Sequence, residues 1–188
     1  MPFTILFAIL FAKIKGYKIS YLFKSWTIYP IILAEIVLIF FQMTVFFNIY
    51  YFIQFSNINK LIHLMLFLVP FFIFKLYKAG LIGSISIVIG TAMNKFVMLQ
   101  NGGKMPVFPT LSKFTGYYKP GAFDKAQSIH ILGSSSTNFK IFSDYIDLGY
   151  SILSVGDLFV HFFAFVIIFY TIKALNIEKS KITSQNGE

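Results

Sequence analysis

The chain has 188 residues, a length that suits one domain, and it carries a formal net charge of +9 at pH 7. Hydrophobic residues make up 57% of it and charged residues only 12%, about half the charged share of a soluble globular protein. This composition excludes an ordinary soluble domain and predicts an integral membrane protein in contact with a lipid bilayer. Every basic residue is lysine, and the lysines flank apolar segments, which argues against a nucleic-acid partner. Without cysteine, thiol chemistry and disulfides are excluded.

Five apolar segments follow one another along the chain. We expect them to span the membrane at residues 3–17, 28–55, 61–77, 81–99 and 152–172. The first is short for a span, because about 20 helical residues are needed to cross the hydrocarbon. A stretch of mixed lysine and aromatic residues follows it, as is typical of the membrane interface. The sequence therefore predicts an all-α membrane protein, with about five transmembrane helices in one domain over residues 1–188.

The ionisable residues inside the predicted spans include Glu35 and His63. A carboxylate in hydrocarbon is costly, so Glu35 in the second span is a functional candidate. The other interpretation of Glu35 is hydration, or pairing with a nearby lysine, at the cytoplasmic end of the span. His63 lies near the outer end of the third span, and we interpret it as an interfacial residue and not as a ligand.

The fourth span contains many small residues. They are Gly83, Ser84, Ser86, Gly90, Thr91 and Ala92. Small side chains let helices approach one another closely in lipid. We therefore expect this helix to lie centrally in the bundle, with its small residues facing other helices.

A long segment, residues 101–150, separates the fourth and fifth spans. Its glycines and prolines preclude a continuous helix, and its aromatic and apolar residues argue against disorder. Gly102 and Gly103 suit a helix stop at positive φ. A loop of this length in a compact protein is usually functional, so we expect a long ordered loop.

The placement of lysines predicts the topology. Lysines that follow the first span, that end the third and that lie in the C-terminal tail would be cytoplasmic. Five spans then place the N-terminus and the loop 101–150 outside, and the C-terminus in the cytoplasm. The expected location is the plasma membrane, with several passes.

Three aspartates lie at the end of this loop: Asp144, Asp147 and Asp157. A hairpin through Gly149 could bring Asp144 beside Asp157. Two close carboxyl groups do not both ionise, so one holds a proton, and such a pair can act as general base and general acid on a water that attacks an amide. The other interpretation needs no chemistry, because Asp157 opens the fifth helix and can cap its N-terminus.

A metal site from Asp144, Asp157 and His161 is a further possibility, since His161 lies one helical turn after Asp157. Nothing in the spacing is diagnostic of a ligand set. We therefore expect neither a metal nor another cofactor.

Other polar residues of the loop have two interpretations each. His130 could line the site, or it could be a surface or capping residue. Asn101 could cap the end of the fourth helix, or it could hydrogen-bond a substrate backbone. Met105 opens an MPV segment that could dip back toward the bundle, where irregular backbone is tolerated only against protein or water.

Several of these residues together resemble a family of bacterial membrane proteins of unknown function, over roughly residues 81–172. The resemblance rests on the NGGKMPV segment at 101–107, His130, Asp144 and the SVGD segment at 154–157.

The last third of the chain is also distantly similar to lipoprotein signal peptidase. In that enzyme the catalytic dyad is an Asp near a DFI-like segment and an Asp in an N-x-A-D segment that opens the last helix. The segment Asp144-Tyr145-Ile146 and the SVGD segment occupy comparable places here. The G-N-x-x-D-R segment of the peptidase is missing, and this chain has no arginine.

The resemblance implies a membrane-embedded aspartic peptidase or hydrolase acting at the outer leaflet. Asp144 and Asp157 would be the dyad, and Asn101, Met105 and His130 would bind the substrate, a peptide or lipoprotein. The alternative is a non-catalytic membrane subunit whose loop 101–150 binds a partner protein or a lipid-like ligand. A transporter is disfavoured, because it would need more charges inside the spans than one glutamate.

Overall fold

Helices dominate the structure, a computed structural model that describes residues 2–125 and 129–185. In chain order they are α1 (Pro2–Ile14), α2 (Ser20–Phe23), α3 (Tyr29–Phe46), α4 (Ser56–Leu66), α5 (Leu68–Ile73), α6 (Tyr77–Gln100), α7 (Leu111–Thr115), α8 (Ala122–Lys125) and α9 (Val155–Gln185). Short 3-10 turns cover Trp26–Ile28, Tyr51–Phe55 and Lys140–Phe142.

Within the described residues, three helical stretches are long and apolar enough to cross a membrane. They are Trp26–Phe46, Tyr77–Gln100 and Val155–Ile182. Pro2–Ile14 and Ile58–Ile73 are apolar but shorter. The structure therefore contains three candidate spans and two shorter apolar helices, where the sequence predicts five spans.

The second predicted span, 28–55, is longer than the helix that forms there. Asn48 adopts a positive φ of 62°, and the N–H of Ile49 donates to the carbonyl of Thr44 at 3.0 Å. This is the pattern of a helix C-terminus closed by a residue in the left-handed region, a position that Asn tolerates. Helix α3 consequently ends at Phe46.

The third predicted span, 61–77, is broken in two. Pro70 has no N–H to donate to the carbonyl of Leu66, and its ring crowds that carbonyl. Helix α4 accordingly ends at Leu66 and α5 begins at Leu68. The break at Phe67 explains why neither piece has the length of a full span.

The chain divides into two compact units. Unit 1 comprises residues 1–36, 61–85 and 161–188. His63, for which the sequence predicts an interfacial position, is fully buried in this unit. The other most buried large side chains are apolar and fully inaccessible to solvent: Leu22, Ile31, Phe67, Ile167, Ile168 and Ile172. Phe11 packs on Phe169 with ring centroids 5.2 Å apart, and Gly83 lies directly against Phe163. Apolar packing between helices therefore holds this unit together.

Unit 2 comprises residues 37–60 and 86–160, and it contains all four strands of the described residues. Strand β1 (Met105–Val107) pairs in parallel with β2 (His130–Leu132), and β3 (Ile146–Asp147) pairs antiparallel with β4 (Ile152–Leu153). The predicted hairpin through Gly149 is present, with that glycine at φ 83°. The segment 101–150 is thus built from short strands and helices.

Helix α6 matches the predicted small-residue helix in part. Gly90 lies against Gly156 and Phe159, so it faces another helix as predicted. The N–H of Gly103 donates to the carbonyl of Met98 at 2.8 Å, and Gly102 has φ 67°, so the predicted glycine stop is present. The helix is less buried than a central position predicts. In its most apolar 18-residue stretch 22% of the residues are buried, whereas the figure for the corresponding stretch of α9 is 44%.

Candidate functional site

Strand β1 brings together two of the predicted site residues. On one side it pairs with β2, where His130 lies opposite Met105. On its other side the N–H of Asp144 donates to the carbonyl of Pro106 at 3.0 Å, and the N–H of Phe108 donates to the carbonyl of Asp144 at 2.8 Å. The backbones of His130 and Asp144 are therefore both fixed against the same short strand.

The side chains of His130 and Asp144 meet on this scaffold. Nε2 of His130 lies 3.5 Å from Oδ2 of Asp144. Asp144 is 4% exposed, whereas the His130 side chain keeps 36% of its surface accessible. Water or a ligand can thus reach the imidazole from one side while the carboxyl stays behind it.

Asp157 occupies the first turn of α9, where it caps the helix. Its N–H donates to Oγ of Ser154 at 2.9 Å, and its Oδ2 accepts the N–H of Ser154 at 3.0 Å. This reciprocal arrangement is a capping box, which satisfies two backbone donors that the helix start would leave open. These hydrogen bonds are the ones that the capping interpretation of Asp157 predicts.

Asn94 of α6 completes the contacts of Asp157. Nδ2 of Asn94 donates to Oδ1 of Asp157 at 2.9 Å, and Oγ of Ser154 donates to Oδ1 of Asn94 at 2.8 Å. A Cβ atom on Gly156 would lie 2.1 Å from the Asn94 amide oxygen. Glycine in the SVGD segment is thus required for the close approach of Asn94, and both oxygens of the Asp157 carboxylate hold a fixed hydrogen bond.

The environment of Asp144 favours its protonated form. Burial raises the pKa of the Asp144 carboxyl, the negative charge of Asp157 raises it further, and the Lys60 ammonium lowers it, with a net value of about 8. At neutral pH Asp144 therefore carries a proton. Because the charge of Asp157 acts on it, the two aspartates interact electrostatically.

His130 is shifted in the opposite sense. Burial lowers the pKa of its imidazole to about 4, Lys60 also lowers it, and the negative charge of Asp157 opposes them. At neutral pH both His130 and Asp144 are consequently uncharged, so their contact is not an ion pair. A neutral imidazole beside a protonated carboxyl can accept or relay a proton.

Asp147 lies apart from this group and has a structural role. Its Oδ2 accepts the N–H groups of Thr110 and Ser112 at 2.7 and 2.9 Å, and its Oδ1 accepts the N–H of Gly149 at 2.8 Å. Burial alone would raise the pKa of Asp147, but these hydrogen bonds outweigh it and lower the pKa. Asp147 thus ties the start of α7 to the hairpin turn.

Two other predicted site residues have clear structural contacts. Nδ2 of Asn101 donates to the carbonyl of Val97 at 2.9 Å, and its Oδ1 accepts the N–H of Asn138 at 3.0 Å. Asn101 therefore closes the end of α6, as one of its two interpretations predicts. Met105 is 4% exposed within β1, where its N–H donates to the carbonyl of Ile129 at 2.9 Å.

Sequence reasoning misses two residues of the site. Asn94 is not predicted as a partner of Asp157, although an amide inside an apolar segment is a visible signal. Lys60, whose charge acts on both Asp144 and His130, carries no signal that sets it apart from other lysines. Within residues 2–125 and 129–185, no group of three or more His, Asp or Glu side chains is placed to hold a metal ion.

Comparison with known proteins identifies the family. The model of a family of unknown function, DUF5317, matches residues 19–169, which is most of the chain, and the chain therefore belongs to that family. No curated protein and no solved structure matches it.

Proposed function

We propose that this DUF5317 protein is a membrane-bound aspartic hydrolase whose dyad is Asp144 and Asp157. The observation that carries the proposal is the buried Asp144 carboxyl, protonated at neutral pH and under the influence of the Asp157 charge. One protonated and one ionised carboxyl is the combination that an acid–base pair needs.

The contacts of the two aspartates assign different roles to them. Asp157 accepts hydrogen bonds from Asn94 and Ser154 in the first turn of α9, so both of its oxygens act as acceptors. Asp157 would therefore be the general base, taking a proton from the attacking water. Asp144 would be the general acid.

The reaction can be written with its protons accounted for. Water adds its oxygen to the carbonyl carbon of an amide or ester and gives a proton to Asp157. Asp144 gives its proton to the leaving nitrogen or oxygen as the bond to carbon breaks. Asp157 would then release its proton to water. His130, 3.5 Å from Asp144 and open to solvent on one side, would relay a proton from water to Asp144, which restores both carboxyl groups for the next turnover.

The proposed substrate is a peptide or lipoprotein at the outer leaflet of the plasma membrane. This rests on the predicted topology, in which residues 101–150 lie outside. Met105 is packed within β1 beside His130, and Asn101 closes the adjacent helix end, so their part in substrate binding would be to shape the scaffold.

The test compares Asp144→Asn and Asp157→Asn with the wild type. Each purified protein in detergent is incubated with membranes of its host, and new protein N-termini are identified by mass spectrometry. The wild type should generate a set of new termini that both variants lose while each variant still unfolds cooperatively as a folded protein, because Asn keeps the size but not the acid–base chemistry. Asp124→Asn, an exposed aspartate of α8, is the matched control and should retain the full set.

A second candidate function is favoured by one observation. Both oxygens of Asp157 are already engaged in capping α9 and binding Asn94, which a structural role explains without chemistry. On this proposal the chain is a non-catalytic subunit whose segment 101–150 binds a partner protein or a lipid-like ligand. Identical N-termini from the wild type and both Asn variants would favour it over the hydrolase.

A further inference from the structure

An apolar groove lies beside the C-terminal part of α6, within unit 2. Its volume is about 260 Å³, and its lining residues are Ala92, Met93, Phe96 and Phe142. The first three belong to α6, and Phe142 ends the last 3-10 turn. All four side chains are apolar, and none of them belongs to the proposed catalytic site. The groove is therefore a feature that the proposed hydrolase does not use.

The wall opposite α6 is held in place by the end of that helix. Nδ2 of Asn138 donates to the carbonyl of Gln100 at 2.9 Å, and the N–H of Asn138 donates to Oδ1 of Asn101 at 3.0 Å. The next residue, Phe139, has φ 53°, which is uncommon for a bulky side chain. Its ring packs on Phe96 with centroids 4.8 Å apart. The turn that follows Phe139 is thus fixed against α6, and the groove is part of the fold.

The position of the groove along α6 corresponds to the acyl-chain region of a bilayer. Helix α6 has 24 residues and measures about 36 Å, slightly more than the ~30 Å of the hydrocarbon. Phe96 and Ala92 lie about 6 and 12 Å before the helix end at Gln100, at 1.5 Å per residue. Both are exposed. Because α6 is a candidate span, the groove opens toward the acyl chains of one leaflet.

Two lysines flank the groove. Lys95 follows Ala92 by three positions, so both lie on one side of α6, and Lys140 opens the turn that ends in Phe142. Both lysines are exposed, and within residues 2–125 and 129–185 neither forms an ion pair with a carboxylate. Lysine side chains near a membrane surface extend their ammonium groups toward the headgroups. Two positive charges beside an apolar groove complement a ligand with an anionic head and an apolar chain.

We propose that the groove between α6 and the turn Lys140–Phe142 binds one anionic phospholipid of the surrounding leaflet. One acyl chain occupies the groove, whose volume is below the ~300–1,000 Å³ of pockets for drug-sized ligands and suits a slender chain. The phosphate lies near Lys95 and Lys140. An acylated peptide would fit the apolar part equally well, but it brings no phosphate to the lysines, so the charges favour the phospholipid. The proposal rests on α6 crossing the membrane and not on the proposed hydrolase.

The first test measures quenching of tryptophan fluorescence by lipids with brominated acyl chains. The chain has one tryptophan, so the probe is Phe142→Trp in a Trp26→Phe background. The protein is reconstituted into phosphatidylcholine with increasing amounts of brominated phosphatidylglycerol or, in parallel, brominated phosphatidylcholine. The two quenching curves give the relative binding constant of the two lipids at the groove. We expect phosphatidylglycerol to bind about fivefold more tightly, the factor that the attraction of one lysine corresponds to.

Lysine variants of the probe protein show whether this preference arises at the groove. Lys95→Gln/Lys140→Gln should bind the two lipids equally, and added salt should weaken the preference of the unaltered lysines, because salt screens exposed charges. Lys78→Gln is the matched control. Lys78 is an exposed lysine of the first turn of α6, about 21 Å before Ala92 along the helix, so this variant should keep the full preference. Equal binding of both lipids with all lysines present would overturn the proposal.

A second measurement leaves Phe142 unchanged, in case tryptophan disturbs the turn. The wild type is purified in a mild detergent, and the phospholipids that stay bound to it are identified by native mass spectrometry. The wild type should retain one anionic phospholipid per chain. Ala92→Phe, which fills the groove with a ring, should lose it, whereas Thr91→Phe, at an exposed neighbouring position outside the groove, should keep it. A zwitterionic lipid or an acylated peptide in its place, or equal retention by Ala92→Phe, would refute the proposed site.

Discussion

Gly90 of α6 lies so close to Gly156 of α9 that a Cβ atom on Gly90 would come within 2.3 Å of the Gly156 carbonyl oxygen. The obstacle is backbone, which cannot rotate away as a side-chain tip can. The same Cβ atom would lie 2.9 Å from Cβ of Phe159. Contact between the two helices therefore depends on the absence of a side chain at Gly90.

Gly90→Ala should consequently destabilise the protein by about 1–3 kcal/mol, the usual range for overpacking. The measurement is the thermal unfolding of the purified protein in detergent. Thr91→Ala, at the exposed neighbouring position, is the control and should change stability far less. Equal melting temperatures for Gly90→Ala and the wild type would mean that α6 and α9 are not in this contact.

The pH dependence of stability should report on Asp144. Its folded-state pKa of about 8 exceeds the value of about 3.9 for a free aspartate, so between these values only the unfolded chain releases the proton. Stability should therefore fall as the pH rises through this window, by at most about 1.4 kcal/mol per pH unit. Below about pH 4 the effect disappears.

Asp144→Asn removes this titration and keeps the size of the side chain. The difference in melting temperature between this variant and the wild type should grow in favour of the variant from about pH 4 to about pH 8. Asp124→Asn should run parallel to the wild type over the same range. A constant difference for Asp144→Asn would show that Asp144 is ionised at neutral pH.

Asn94 should matter to the whole N-terminal turn of α9. Asn94→Ala removes the donor to the Asp157 carboxylate and the acceptor for the Ser154 hydroxyl. Hydrogen bonds to charged groups contribute about 1.5–3 kcal/mol, so we expect a loss of about 2 kcal/mol by thermal unfolding. Lys95→Ala, at the next, exposed position, is the control and should have little effect.

Cysteine labelling can determine how many helices cross the membrane, because the chain has no native cysteine. Ser135→Cys, exposed in the segment before β3, should react from the outside whether three or five helices cross. Ser20→Cys, at an exposed position at the start of α2, distinguishes a protein with five membrane-crossing helices from one with three. With five crossings it should react only from the cytoplasmic side, and with three only from the outside.

The sites for labelling follow from the structure. Ser112 of α7, although it lies in the same segment as Ser135, is fully buried and donates its hydroxyl to Asp147 at 2.7 Å. A cysteine there would be protected on either side of the membrane. Reaction of Ser135→Cys from the cytoplasmic side alone would contradict the predicted topology.

Local rules account for the parts of the fold that the sequence predicts. The glycine stop after α6 and the hairpin through Gly149 depend on neighbouring residues, and both are present. The ends of α3 and α4 follow equally local rules at Asn48 and Pro70. The predicted spans 28–55 and 61–77 instead assume that each apolar run forms one full span. They therefore run past the helix ends, and the predicted helices are too long.

Contacts between distant residues account for what the sequence does not predict. Asn94 and Asp157 are 63 residues apart, and their hydrogen bond depends on which faces of two helices meet. Nδ1 of His63 lies 3.2 Å from Oε2 of Glu35, a contact that depends in the same way on helix packing. Apolar residues surround α3, α6 and α9 on all sides, so no amphipathic stripe indicates which side of these three helices faces a neighbour.

The length of α1 has a consequence for the lipid around the protein. Thirteen helical residues measure about 20 Å, roughly 10 Å less than the hydrocarbon thickness of a typical bilayer. This hydrophobic mismatch can be relieved by local thinning of the membrane, or by lysines such as Lys13 and Lys15 extending toward the headgroups. Shorter acyl chains reduce the mismatch and favour a crossing α1, whereas longer chains favour its withdrawal to the interface. The depth of α1 should therefore change with the acyl-chain length of the host membrane.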